Sequence, residues 1–239
     1  MLWWLIVDKE YFYLNNNIEF SSGKEYQTQE FAEKICERRN FKEKGDLIAS
    51  VRIFADPTHV KESNKLFGIP VPIKRGRHTF ITIENISTKD IQVGKVVLPP
   101  HKTISLGVFS MMKTKEHSGL WMCMEARNIL LNGFYGPRAS LRCDITENDL
   151  SNINAKLKKF YNRWNYYHNC AYFCRVIWNL VSSLKIKRRI VITPLNIYED
   201  IIKTQKHSIG YPVPFQYLVH YIDDYGKPCK SRFWNRKWV

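Results

Sequence analysis

The hydrophobic positions of the chain change period along its length, and the change separates a strand-rich first part from a helical second part. From Asp46 to Asp56 the run Leu47-Ile48-Ala49-Ser50-Val51-Arg52-Ile53-Phe54 is rich in residues that fit a pleated, half-buried strand. Pro57, Gly68, Pro70, Pro72 and Gly76 then punctuate what reads as one long loop. Further strands are expected at His78 to Glu84, Ile91 to Leu98, Thr103 to Phe109, Leu120 to Glu125 and Ala139 to Ile145. Their separators, Asn85-Ile86-Ser87, Pro99-Pro100 and Gly133 to Pro137, suit an antiparallel meander or small barrel. Residues 11 to 46 are polar, with Phe31, Ala32, Ile35 and Cys36 at helical spacing after Thr28. That stretch reads as an appendage, residues 1–46, carrying one short helix. The apolar opening from Met1 to Val7 reads as a buried strand. It has no basic leader and no small-residue cleavage site, and Asp8-Lys9-Glu10 closes it.

At Thr146 the period becomes helical. Thr146 can cap a helix with Asp149 three residues on, while Ile145 and Leu150 occupy the two positions of a hydrophobic staple. Leu150, Ile153, Leu157, Phe160, Tyr161 and Trp164 form one apolar stripe. A polar and aromatic loop, Asn165-Tyr166-Tyr167-His168-Asn169, leads into a second helix from about Cys170 to Ser183, with Phe173, Ile177, Leu180 and Val181 on one face. Pro194 opens a third helix, as proline does at a first turn. The pattern as a whole is α+β: an antiparallel sheet or small barrel packed against helices.

Composition adds a core and a charge. In 239 residues, 44% hydrophobic and 14% aromatic content supplies ample material for burial. Thirty-seven Lys plus Arg against twenty-two Asp plus Glu give +15, a field that attracts nucleic acid, anionic membrane or acidic partners, or only solvates a basic face. The six cysteines, Cys36, Cys123, Cys143, Cys170, Cys174 and Cys229, form no CxxC pair, which points to reduced thiols in a cytosol-like compartment, with non-classical secretion the alternative. No apolar stretch approaches the ~20 residues needed to span a bilayer, so a soluble protein is expected. No cofactor and no metal are expected. The sequence lacks GxxxxGK[ST], GxSxG and HExxH motifs, and His168, Cys170, Cys174, His117 and Cys123 do not repeat with a zinc-site spacing. The tail from Lys230 to Trp238 interleaves aromatics with cations, which suits single-stranded nucleic acid or, preferred here, a terminal strand packed on the core.

The candidate chemistry is a thiol. Cys170 falls in the first turn of its helix, where unpaired N–H groups and the macrodipole favour an anion and can lower a thiol pKa from ~8.5 into the range ~3.5–7.5. Between Asp149 and Glu199 there is no acidic residue, while Lys156, Lys158, Lys159, Arg163, Arg175, Lys185, Lys187, Arg188 and Arg189 are all cationic. Cys174, one turn on, reads as packing. A free cysteine is usually buried and inert. His78 changes that reading for Cys170, because in Gly76-Arg77-His78-Thr79-Phe80 a histidine stands at the mouth of a strand, held and reachable as a base for the thiol.

The Gly-x-His-Thr-Phe-Ile strand, the His117-Ser118-Gly119-Leu120-Trp121 strand, and Asn169-Cys170-x-x-Phe173 opening a helix that continues Ile177-Trp178-Asn179 together resemble the circularly permuted papain-like cysteine hydrolases. That superfamily includes NlpC-like peptidases and lecithin retinol acyltransferase-like enzymes. The similarity covers roughly residues 47 to 183, and the histidine strand precedes the cysteine helix, as in permuted members. The resemblance implies a permuted papain-like catalytic domain over residues 47–239 with a C-terminal extension. It implies Cys170 as nucleophile, His78 as general base and the Cys170 N–H as an oxyanion donor. The group that orients the base is not fixed by it; His117 is the first choice, with Glu84, Gln92 and Glu125 behind. The expected activity is hydrolysis of an amide, peptide or ester bond, or acyl transfer, through a thioester on Cys170. The competing expectation is a catalytically silent module whose basic face binds nucleic acid or an acidic protein.

Overall fold

The computed structural model describes residues 12–13, 47–57, 63–66, 69–72, 78–110, 116–125, 138–211, 213 and 218–235. The expected strand at Met1–Val7 and the expected helix after Thr28 lie outside the described residues. Among the described residues the strands are β1 (Phe12–Tyr13), β2 (Leu47–Asp56), β3 (Ser63–Leu66), β4 (Ile69–Pro72), β5 (His78–Asn85), β6 (Ile91–Val93), β7 (Val96–Leu98), β8 (Thr103–Phe109), β9 (Gly119–Met122), β10 (Ala139–Thr146), β11 (Ser208–Ile209), β12 (His220–Ile222) and β13 (Pro228–Lys230). The helices are α1 (Glu147–Leu157), α2 (Cys170–Val181), α3 (Pro194–Ile202) and the short α4 (Arg232–Asn235).

The architecture is α+β. Eight strands make one antiparallel sheet in the order β11-β10-β2-β5-β8-β9-β12-β13, so the sheet is larger than the sequence suggests. Two of its inner strands, β2 and β5, pair in a register that runs from Ala49 opposite Asn85 to Asp56 opposite His78. Alternation along these strands sorts the side chains. Ala49, Val51, Ile53 and Ala55 of β2, with Ile81 and Ile83 of β5, are fully buried in the main core with α1, α2 and α3. The other parity carries Phe54 stacked on Phe80, centroids 4.7 Å apart. Trp178, Phe173 and Ile177 of α2 are also fully buried, each adding about 1.5–3 kcal/mol relative to exposure.

Several expectations need amendment. The stretch read as one strand from Ile91 to Leu98 is the hairpin β6–β7, because Gly94 takes φ 64 at the first central position of its turn. The proline-rich loop after β2 contains the hairpin β3–β4. Helix α1 has the expected capping box, with the Thr146 hydroxyl accepting from the Asp149 N–H and the Asp149 carboxylate accepting from the Thr146 N–H. It ends at Leu157 and tightens into a 3-10 turn to Phe160. The helical stretch has ended by Phe160, so Trp164, four residues on, no longer shares the stripe and is exposed. The C-terminal segment is not a strand throughout. After β13 it turns into α4, whose first N–H groups, those of Arg232 and Phe233, are received by the Glu116 carboxylate, and the Phe233 ring is partly exposed; the Trp234 side chain and residues 236–239 lie outside the described residues. Among the described residues no helix is long and apolar enough to cross a membrane.

Candidate active site

Asn169 fixes the start of α2. Its backbone is extended, and its side-chain oxygen accepts the Tyr172 N–H at 3.0 Å. Its amide nitrogen donates to the carbonyls of Tyr166 at 3.1 Å and Ile192 at 2.9 Å, so one side chain holds the helix start, the loop before it and the segment that returns past it. The Phe173 N–H is taken by the Asn169 carbonyl. The N–H groups of Cys170 and Ala171 stand ahead of these bonds, in the turn that intrahelical bonding leaves unpaired. Cys170 is therefore the first helical residue, as its position in the sequence requires, and it is half-buried.

Helix α2 lies over β5, and the two elements bring Cys170 and His78 together. Thr79 faces the helix, with its hydroxyl and N–H against the Cys170 sulfur. His78, of the opposite parity, has its ring between Phe109, centroids 4.4 Å apart, and Phe80, 6.1 Å apart. As the first residue of β5 it stands at the end of the sheet, where its ring meets the Cys170 thiol at hydrogen-bonding range. Burial alone would push the imidazole pKa down. The charge and hydrogen bond of Cys170, helped by Glu125, outweigh burial and raise it to about 9. Burial likewise pushes the Cys170 thiol up, but the charge and hydrogen bond of His78 and the contacts from Thr79 win and hold it below its ordinary value. Each group thus favours the charged form of the other.

The group behind His78 is Glu125. Its Oε1 lies 3.5 Å from His78 Nε2, and the side chain is 0% exposed. Its Oε2 accepts a hydrogen bond from the Ser105 hydroxyl at 2.8 Å. Two backbone features give the carboxylate its place. Strand β9 stops at Met122, and Cys123 turns left-handed at φ 61 with its N–H on the Ser105 carbonyl, so the chain bends back toward β8. Opposite, Gly107 has no side chain, and a Cβ there would stand 1.7 Å from Glu125 Oε1. The expected strand from Leu120 to Glu125 is thus shortened, and that shortening is what aims Glu125.

His117, the first choice to orient His78, is placed elsewhere. Its Nε2 bonds the Tyr161 carbonyl, which also accepts the Leu120 N–H at 3.3 Å, and its ring stacks on Tyr221. Gly119 permits this approach: at φ 150, a Cβ on it would lie 2.1 Å from that same carbonyl oxygen. His117 clamps the chain end of α1 to β9. Of the other candidates, Gln92 accepts through its carbonyl from Asn154, and Glu84 pairs across the ladder with Ser50 and Thr103. Glu125 carried a sequence signal: it is a lone carboxylate closing the apolar run Leu120-Trp121-Met122-Cys123-Met124. Thr79 carried none, being one β-branched residue in a strand. Of the nine cations in the acid-free stretch, Arg189 pairs in space with Asp200 at 2.8 and 2.9 Å. Comparison with protein-family models, curated proteins and solved structures found no match for this chain.

Proposed function

We propose that the chain is a thiol-dependent hydrolase of permuted papain-like type, acting on an amide, peptide or ester carbonyl. The observation that carries this reading is the His78 ring set between Cys170 and the buried Glu125. Nε2 faces Glu125, so proton exchange with the thiol falls to Nδ1. The Cys170 thiolate attacks the carbonyl carbon, and the electron pair of the C=O bond moves to oxygen. The Cys170 N–H at the helix start donates to that oxyanion. As the tetrahedral intermediate collapses, the leaving amine or alcohol takes the proton from His78 and a thioester remains on Cys170. Water, deprotonated by the now neutral His78, attacks the thioester and releases the acid with the thiolate. An acceptor alcohol or amine in place of that water makes the same step an acyl transfer. Glu125 holds the ring and stabilises its charged form, acting through His78 as a positioning residue.

The test is to trap the acyl-enzyme. Incubation with a panel of nitrophenyl esters, followed by intact and peptide mass spectrometry, should show one acyl group on Cys170 that hydroxylamine removes. Acyl groups on lysines alone, or spread over several thiols, would return the basic surface to first place as a binding face.

A further inference from the structure

The approach to Cys170 is flanked by two segments whose exposed side chains do not suit water alone. The first is the loop before α2. In it Trp164 is 38% exposed and Tyr167 61%, and Tyr166 is exposed beside them. The second is the return segment after α2. The Trp178 indole donates to the Leu184 carbonyl at 2.6 Å, and the Asn179 side chain brackets Ile186, accepting its N–H at 2.8 Å and donating to its carbonyl at 2.9 Å. The segment is thus strapped back along the helix toward Cys170, with Ile186 and Ile192 buried. Ile190 lies between them and is 96% exposed. Because Asn169 holds the carbonyls of both Tyr166 and Ile192, the aromatic loop and the Ile190 turn stand side by side next to the helix start. The cations Arg163, Lys187 and Arg188 are exposed in the same two segments, and neither segment contains an acid.

We propose that this rim docks on an anionic lipid surface and so faces the start of α2, with Cys170, toward the membrane. Tyr and Trp rings settle at headgroup depth, a branched aliphatic tip enters the acyl boundary, and Lys and Arg take the headgroup charge. A single-stranded nucleic acid fits less well. Ile190 offers no π face to a base, and the Tyr166 and Tyr167 rings stand edge to face at 89°, which is not a continuous stacking platform. The surface is physically independent of turnover, although its use beside Cys170 rests on the hydrolase reading.

Vesicle co-sedimentation of the full chain tests it, with phosphatidylcholine vesicles compared with phosphatidylcholine–phosphatidylserine vesicles. Binding to the anionic vesicles alone is expected, weakening as salt rises. The double variant Tyr167→Glu, Ile190→Glu should bind at least about tenfold more weakly, and Arg188→Ala about fivefold, with thermal midpoints unchanged because these side chains are exposed. The Cys170→Ser protein should bind like the parent, so a failed hydrolase reading leaves this result standing and a failed docking reading leaves the chemistry standing. Equal affinity for neutral and anionic vesicles, parental binding by the double variant, or displacement from vesicles by oligouridylate that the same substitutions abolish would each overturn the proposal.

Discussion

Cys170 and Cys174 are one turn apart on α2, and Thr79 lies against both sulfurs, yet their thiols are driven in opposite directions. Burial pushes both up. At Cys170 the His78 charge reverses the effect, whereas at Cys174 the contact with Thr79 is too small, and the charges of Cys170 and Glu125 drive its pKa further up. Cys123, Cys143 and Cys229 are also pushed up, by burial first and then by neighbouring carboxylates. The contrast shows that a helix and a buried sheet do not activate a thiol by themselves. His78 is what sets Cys170 apart from Cys174.

Replacing Cys170, the proposed nucleophile, should have the largest effect. Cys170→Ser keeps a small polar side chain at a helix start, so the thermal midpoint should hold while turnover falls by orders of magnitude. Cys174→Ser should do the reverse. It places a hydroxyl in the core, lowering the midpoint by about 2–4 °C for each kcal/mol lost, and leaves the alkylation of Cys170 in place. His78→Gln comes next. Without the imidazolium charge the Cys170 pKa should rise, and its alkylation at pH 7 should fall at least about tenfold, since each pKa unit removes a factor of ten in thiolate.

The pH dependence follows from the same pair. Cys170 is held below its ordinary pKa and His78 is raised to about 9, so the paired ions exist between the two values. Turnover should rise with pH as Cys170 ionises and fall as His78 loses its proton near pH 9. Replacing Glu125 should act through the base. Glu125→Gln removes a charge that raises His78, so the falling limb should move to lower pH, with a loss in kcat of about ten- to a hundredfold. Gly107→Ala should mimic it, because the new methyl group occupies the place of the carboxylate. His117→Ala should give the smallest change: about 1 kcal/mol of stability from the lost bond to Tyr161, with the pH profile unmoved.

Much of this contrast is legible in the sequence, because its signals are local. The capping box at Thr146, the proline start at Pro194 and the placement of Cys170 after Asn169 depend on residues within a few positions of one another, and α1, α3 and α2 begin where these residues require. The strand-mouth position of His78 is local in the same sense. The partner of His78 is not. It depends on a left-handed Cys123 and on a glycine in the neighbouring strand, neither of which patterning along one strand can reveal. His117 stands in a neighbouring expected strand, which makes it the first choice to orient His78, but the Tyr161 carbonyl after the first helix takes its ring instead. The division of Ile91 to Leu98 into two strands hung on the conformation of Gly94 alone.

Among the described thiols, Cys170 alone is held below its ordinary pKa, and His78 is what holds it there. Alkylation by iodoacetamide, followed thiol by thiol by peptide mass spectrometry from pH 5 to 10, measures it directly. Cys170 should be modified first at pH 7, with its half-point below those of Cys123, Cys143, Cys174 and Cys229, and His78→Gln should abolish the lead. Uniform labelling, labelling led by Cys36 or Cys229, or a Cys170 lead that survives in His78→Gln would contradict it.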